Sequence, residues 1–241
     1  MPTTPVLPAD DPKFEARRVI GQALGFSDCP ANVLDELVAA GQLKRLVPGE
    51  QLSQRGDRSD HVGLVVTGLL EASALRVDGH RHFVGLVVPG DFCGVFSFIG
   101  ELPHPHNMVA REPTTLLMIA NHTLQSLRTQ HPSVVLACER HLARRLHFLF
   151  ERLYADPGLP LESRVASMLV MVGRLYGQKV GPHIELAFKL SQTDLADWLG
   201  LSRQRMNFAL KHLESERLIR LHYSILTITD PAGLAALAET D

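Results

Sequence analysis

Two serines, Ser191 and Ser202, each stand directly before an amphipathic run, and the first run stops at Gly200. Serine opens helices because its hydroxyl accepts from the orphan amides of the first turn. Glycine closes them because left-handed backbone costs it no strain. The spacing therefore predicts a short helix closed by Gly200, a tight turn at Gly200-Leu201 and a second helix over 203–216. Met206, Leu210 and Leu213 give the second helix an inward face. Its other face offers Arg203, Gln204, Asn207 and Lys211, and no acid occurs between Ser202 and Lys211.

Those side chains form a base-reading and phosphate-holding set. Arginine can bridge guanine bidentately, glutamine and asparagine can do the same with adenine, and lysine serves phosphate without reading sequence. The free amides of a helix N-terminus also attract phosphate, which makes Ser191 and Gln192 candidate clamps for the first helix. A plain helical hairpin with a solvated basic face is the competing reading. The next segments shift the balance: β patterns at 218–220 and 224–228 flank His222-Tyr223, the place for a wing, and 231–238 adds a helix of small apolar residues. A winged helix-turn-helix that reads the major groove is expected from about residue 159 onward.

Upstream the pattern differs. From 43 to about 120, short runs of β-formers are broken by Pro48-Gly49, Arg55-Gly56-Asp57, Thr67-Gly68, Asp78-Gly79 and Pro89-Gly90-Asp91. Such punctuation predicts a compact antiparallel barrel or sandwich, with Asp78-Gly79 as the hairpin loop between 71–77 and 82–88. Helical patterns over 14–24 and 33–40 precede it, and residues 1–11 have the composition of a loose arm. Beyond Asn121 the period becomes helical, and 132–154 is one long segment with Val135, Cys138, Leu142, Leu146, Leu149 and Leu153 three or four apart. That stripe suits packing against the barrel or a dimer seam, and length favours a seam over at least half of it. Asp156-Pro157-Gly158-Leu159-Pro160 breaks the helix and sets a hinge. A further amphipathic helix over 162–176 and a strand over 183–188 lead into the helix pair.

The chain has 241 residues, 45% of them hydrophobic, enough for a sizeable core. A net charge of −2 means that any DNA-binding surface is a local patch. Cys29, Cys93 and Cys138 cannot all pair, which fits buried thiols in a reducing cytosol. With no signal-peptide pattern and no long apolar stretch, a cytoplasmic protein without a membrane span is expected. No Gly-rich phosphate loop, zinc-protease motif or nucleophile elbow is present, so no enzyme is expected.

From about 33 to 228 the chain resembles the CRP/FNR family of transcription regulators. The resemblance is carried by Pro48-Gly49-Glu50 with Gly56-Asp57, Val66-Thr67-Gly68, Pro89-Gly90-Asp91-Phe92 and His131-Pro132. It continues through Ala143-Arg144-Arg145-Leu146, Arg164-Val165-Ala166 and Leu195-Ala196-x-x-Leu199-Gly200-x-Ser202-Arg203. It implies an α+β fold: an N-terminal antiparallel, jelly-roll-like β-roll, a long dimerisation helix and a C-terminal winged helix-turn-helix. The implied segments are an arm and helix over 1–30, a cyclic-nucleotide-binding-like sensor over 31–130, the dimerisation helix over 131–156 and the DNA-binding domain over 157–241. Partners implied are double-stranded DNA with a pseudo-palindromic operator, a second copy as homodimer, RNA polymerase and a small-molecule effector.

The resemblance does not extend to the ligand contacts. Where cAMP-binding members carry a Gly-Glu pair and an Arg-Ser pair, this sequence has Gly94-Val95 and Pro105-His106. Valine cannot accept from a ribose hydroxyl, and proline offers no charged fork to a phosphate. The long-helix positions that touch the base read Leu149 and Phe150. A cyclic nucleotide is therefore not expected as effector, and with Cys29 alone near the N-terminus neither is an iron–sulfur cluster. No cofactor is expected. Haem is the one alternative sensor group, through His80-x-His82, His104-x-His106 (each pair on one face of a strand) or a Cys93 thiolate. On the recognition helix Gln204 and Phe208 replace the family's Glu and second Arg, leaving Arg205 and Asn207 to take over part of the reading. Phe208 and the near-neutral charge also motivate an alternative, a ligand-binding or interaction module that has lost specific DNA binding.

Overall fold

The computed structural model describes residues 11, 13–75, 81–153, 158–186, 188–222 and 225–239, without the side chains of 75, 81 and 151–153. The expected arm over 1–11 (save residue 11), the Asp78-Gly79 loop, the Asp156-Pro157 break and the wing tip at Tyr223 lie outside the described residues. The chain divides into two compact units, 1–146 and 147–241.

In the first unit helices α1 (Phe14–Ile20) and α2 (Ala31–Ala40) precede two four-stranded antiparallel sheets. One sheet has β1 (Gln42–Leu46), β8 (Thr114–Ala120), β3 (His61–Thr67) and β6 (Phe92–Cys93) in that order. The other has β2 (Gln51–Ser53), β7 (Asn107–Ala110), β4 (Leu70–Leu75) and β5 (Arg81–Val87). Strand β3 is buried along both faces, which explains its unbroken apolar run from Val62 to Val66. Val62, Leu64 and Val66 pack with Leu117 and Ile119 of β8 against α1, α2 and the later helices. Val65 and Leu116 turn the other way, onto Leu70, Ala72, Val87 and Met108 of the second sheet. The first sheet is thus the middle layer of three.

Gly68 makes the β3–β4 turn possible: its φ is +85°, and a Cβ there would sit 2.4 Å from the Pro113 carbonyl oxygen. Strands β4 and β5 pair from Leu70↔Val87 to Leu75↔Arg81, the hairpin expected from the sequence. A short helix, α3 (Val95–Gly100), interrupts the β region where no helix was expected. Six residues are too few to show a helical period. Helices α4 (Asn121–Gln130) and α5 (Pro132–Leu153, 22 residues) follow.

In the second unit α6 (Leu161–Tyr176) buries Val165, Met168, Leu169 and Val172, while Leu175, which the period also puts on the inward face, is half-buried. A four-stranded sheet in the order β11 (Ile219–His222), β12 (Ile225–Ile228), β10 (His183–Leu186), β9 (Gly177–Val180) lies beside α7 (Gln192–Leu199), α8 (Arg203–Ser215) and α9 (Pro231–Ala238). Strand β9 was not expected; Gly-Gln-Lys-Val carries one β-former and is mostly exposed. Leu195, Met206, Ala209, Leu210, Leu213, Leu226 and Leu234 are all buried to 2% exposure or less.

Candidate nucleic-acid interface

The α7–α8 pair is fixed at three points. Ser191 accepts from the Asp194 amide at 3.1 Å, while the Asp194 carboxylate accepts from the Ser191 amide at 3.0 Å and from its hydroxyl at 2.6 Å, a complete capping box. Gly200 closes α7 at φ +65°, with the Leu201 amide donating back to Ala196 at 2.8 Å. Ser202 opens α8 by accepting from the Arg205 amide at 3.3 Å. The buried Met206, Ala209, Leu210 and Leu213 then fix which side of α8 faces out.

That outer side carries Arg203, Gln204, Arg205 and Lys211, all exposed, with Asn207 half-buried. Among the described residues no carboxylate pairs with Arg203, Arg205 or Lys211, so their charge is not consumed internally. Asn207 is tied to α7: its Oδ1 accepts from Gln192 Nε2 at 3.3 Å. Of the two expected backbone phosphate clamps, Ser191 spends its amide and hydroxyl on the Asp194 carboxylate, which would itself repel phosphate, whereas the Gln192 side chain bridges the two helices, a contact that leaves its backbone amide uncommitted to Asn207. Sequence reasoning passed over Asp194, although Ser-Gln-Thr-Asp is itself a capping-box signal. Phe208, in the middle of the outer face, is 65% exposed.

On α5 the expected stripe is rotated. Cys138 is fully buried and, with Leu142 beside it, packs into the core of the first unit together with Val134 and Ala137. Val135 is half-buried. Among the described residues of α5, Leu136, Leu146, Leu149 and Phe150 are the large apolar side chains exposed by 45–52%. Leu136 and Phe150 are two heptads apart with the exposed Ala143 between them, the spacing of a seam. The side chain of Leu153 is outside the described residues. Arg145 anchors the same helix to the β5–β6 turn through a 2.7 Å ion pair with Asp91, and the buried His141 lies edge-on to Phe92 at 5.7 Å. Burial, helped by the Arg145 charge, lowers His141 to about 4.

The residues expected around an effector do not converge within the first unit. Val95 is 2% exposed and belongs to the core on the helix side of the middle sheet, so it lines no pocket. Pro105 is exposed and His106 half-buried in the segment before β7, and Leu149 and Phe150 fall in the second unit. Of the set only Gly94 borders the cavity between β3, β6 and β8, which measures about 30 Å³ and is shared with His61, Cys93, His104 and Met118. That space has room for about one or two waters.

His104 and His106 are not on a strand, which corrects the expected pairing on one sheet face. His104 lies 3.4 Å from Ser97 Oγ, and burial lowers both imidazoles. His80 lies outside the described residues, and His82 is exposed on β5. The Cys93 thiol donates to the Gly63 carbonyl at 3.2 Å, and burial pushes it up to about 12.

A β-roll unit, a long helix with an exposed apolar stripe, and a unit that presents a basic helix beside a four-stranded sheet have the make-up of a DNA-binding regulator. Residues 43–131 match the cyclic nucleotide-binding domain family, and 163–237 match the Crp-like helix-turn-helix domain family. The chain is 30% identical over 198 residues to the HTH-type transcriptional regulator Cmr of Mycobacterium tuberculosis, covering 82% of this chain and 77% of that one. It is 25% identical over 216 residues to the transcriptional activator protein Anr of Pseudomonas protegens, covering 90% and 86%. Its fold superposes on FixK2 of Bradyrhizobium japonicum with a TM-score of 0.72 at 20% identity, over 83% of this chain and 98% of that one. The chain belongs to the CRP/FNR family of transcription regulators. It is a regulator with a cyclic-nucleotide-binding-type domain and a helix-turn-helix, not an enzyme.

Proposed function

We propose that this regulator acts as a homodimer whose two α8 helices enter successive major grooves of a pseudo-palindromic operator, ~34 Å apart. The observation that carries the reading is the division of α8 into a buried face of Met206, Ala209, Leu210 and Leu213 and an open face of Arg203, Gln204, Arg205 and Lys211. Arg203 and Gln204, in the first turn, are the base readers, Arg205 shares part of the reading, Lys211 holds phosphate, and Asn207, held by Gln192, offers its amide nitrogen as a donor. The open stripe of α5 supplies the dimer seam. The effector is a small molecule other than a cyclic nucleotide, a reading supported by Val95, which turns into the core where a ribose would need an acceptor. No haem or other cofactor is part of the proposal. RNA polymerase is the proposed partner at the promoter, and the compartment is the cytoplasm, where the chromosome lies. No helix of the described residues is long and apolar enough to cross a membrane.

Gel shifts on promoter DNA over a salt series test this. Lys211→Ala should weaken binding about equally on all sequences and lower the salt slope by ~1. An unchanged slope removes Lys211 from the interface, and no affinity beyond weak non-specific binding at low salt favours the module that has lost its DNA function.

A further inference from the structure

We propose that Phe208 is a specificity residue that reads the 5-methyl group of a thymine in each operator half-site. The proposal rests on α8 being the DNA-reading helix. At about 100° per residue, the buried Met206, Ala209, Leu210 and Leu213 occupy an arc centred about 150° from Phe208. Gln204 and Lys211 lie about 40° and 60° to one side of it, and His212 and Arg205 about 40° and 60° to the other. Phe208 is therefore the middle of the outer ridge, bracketed by the polar and basic residues that a groove would meet. It is 65% exposed, and among the described residues no ring or guanidinium covers it.

A bare phenyl at the centre of a basic face leaves apolar surface in water, which is unfavourable in the free protein and is relieved only by an apolar contact. The ring has no donor or acceptor, so it cannot read the N7, O6, N6 or N4 groups of the major groove. One base edge in that groove carries an apolar feature, the methyl of thymine. Gln204 ahead satisfies the polar base edge beside the ring, and Lys211 behind holds phosphate, so that together they keep the ring over the groove floor.

The test uses the full chain. Binding sites are selected from randomised double-stranded DNA, and each thymine of the selected site is then replaced in turn by deoxyuridine, which removes that methyl alone. At one position per half-site the wild-type chain should bind the uracil probe about four-fold more weakly, the equivalent of ~0.8 kcal/mol for one methyl. Phe208→Ala should bind thymine and uracil equally there, and Phe208→Leu should restore the difference. Because the ring is exposed, thermal unfolding of both variants should match the wild type. Wild-type indifference to uracil at every position overturns the proposal, as does a Phe208→Ala chain that keeps the uracil penalty at the same position. So does a change in oligomeric state without DNA in Phe208→Ala, since it would make the ring a protein contact. If no sequence is enriched, the DNA-reading role of α8 falls as well; an enriched but uracil-indifferent site overturns Phe208 alone.

Discussion

Leu146→Glu should take the dimer apart while leaving each chain folded. Leu146 is 52% exposed, and Leu136, Leu149 and Phe150 are exposed by 45%, 48% and 45%. Burying a large apolar side chain fully is worth ~1.5–3 kcal/mol, so the half left open in a single chain is worth ~0.7–1.5 kcal/mol per residue. Four such residues in each of two copies give ~6–12 kcal/mol of gross seam energy, of which the Leu146 pair supplies ~1.5–3. The substitution removes that share and places two like charges in the seam, each costing at least ~1–3 kcal/mol when desolvated without a partner. A loss of ~4 kcal/mol or more raises the dimer Kd about a thousand-fold. Sedimentation velocity across a micromolar dilution series reads this directly, with far-ultraviolet circular dichroism as the check on folding. Cys138→Ala is the counterpart: it should lower the unfolding temperature of the first unit and leave the dimer intact, because Cys138 packs inward. A Leu146→Glu chain that stays dimeric at the wild-type concentration, or a Cys138→Ala chain that dissociates, refutes the rotated seam.

Ser191→Ala should cost ~1 kcal/mol of stability in the second unit by removing the capping hydroxyl, and should leave the salt slope of DNA binding unchanged. A slope lower by about one with stability intact would make Ser191 a phosphate clamp after all. Acid should destabilise the first unit through His141. Its folded value of about 4 lies below the ordinary 6.5, so the unfolded chain binds the extra proton, and stability is complete above pH 6.5 and lost as pH falls towards 4. At pH 5 this amounts to ~2 kcal/mol, with the buried His104 and the half-buried His106 acting in the same direction. Urea titrations between pH 7 and 4.5 should show His141→Phe, which keeps a ring against Phe92, losing less stability with acid than the wild type; parallel pH profiles would remove His141 from the account.

The helix pair was legible in the sequence because its signals are local: Ser191, Gly200 and Ser202 each act through the turn they sit in, and the structure places all three as caps. The β region was legible for the same reason, through glycines such as Gly68. The α5 stripe was harder. Periodicity shows that a helix has an apolar side but not what covers it, and α5 has two adjacent sides, one turned to its own core through Val134, Ala137 and Cys138 and one exposed through Leu136 and Leu146. His104 was placed on a strand because α3, which breaks the β region after Gly94, is too short to leave a pattern. The role of Gln192 depends on a contact with Asn207, which only the packed helix pair creates.

Selection of binding sites from randomised DNA by the purified chain, compared with Arg203→Ala, tests the central claim most directly. The account predicts a two-fold symmetric site with half-sites about one helical turn apart, and an Arg203→Ala chain that binds it ~1–3 kcal/mol more weakly and relaxes one base position in each half. No enriched sequence, or an Arg203→Ala chain with wild-type affinity and the same base preferences, would contradict it.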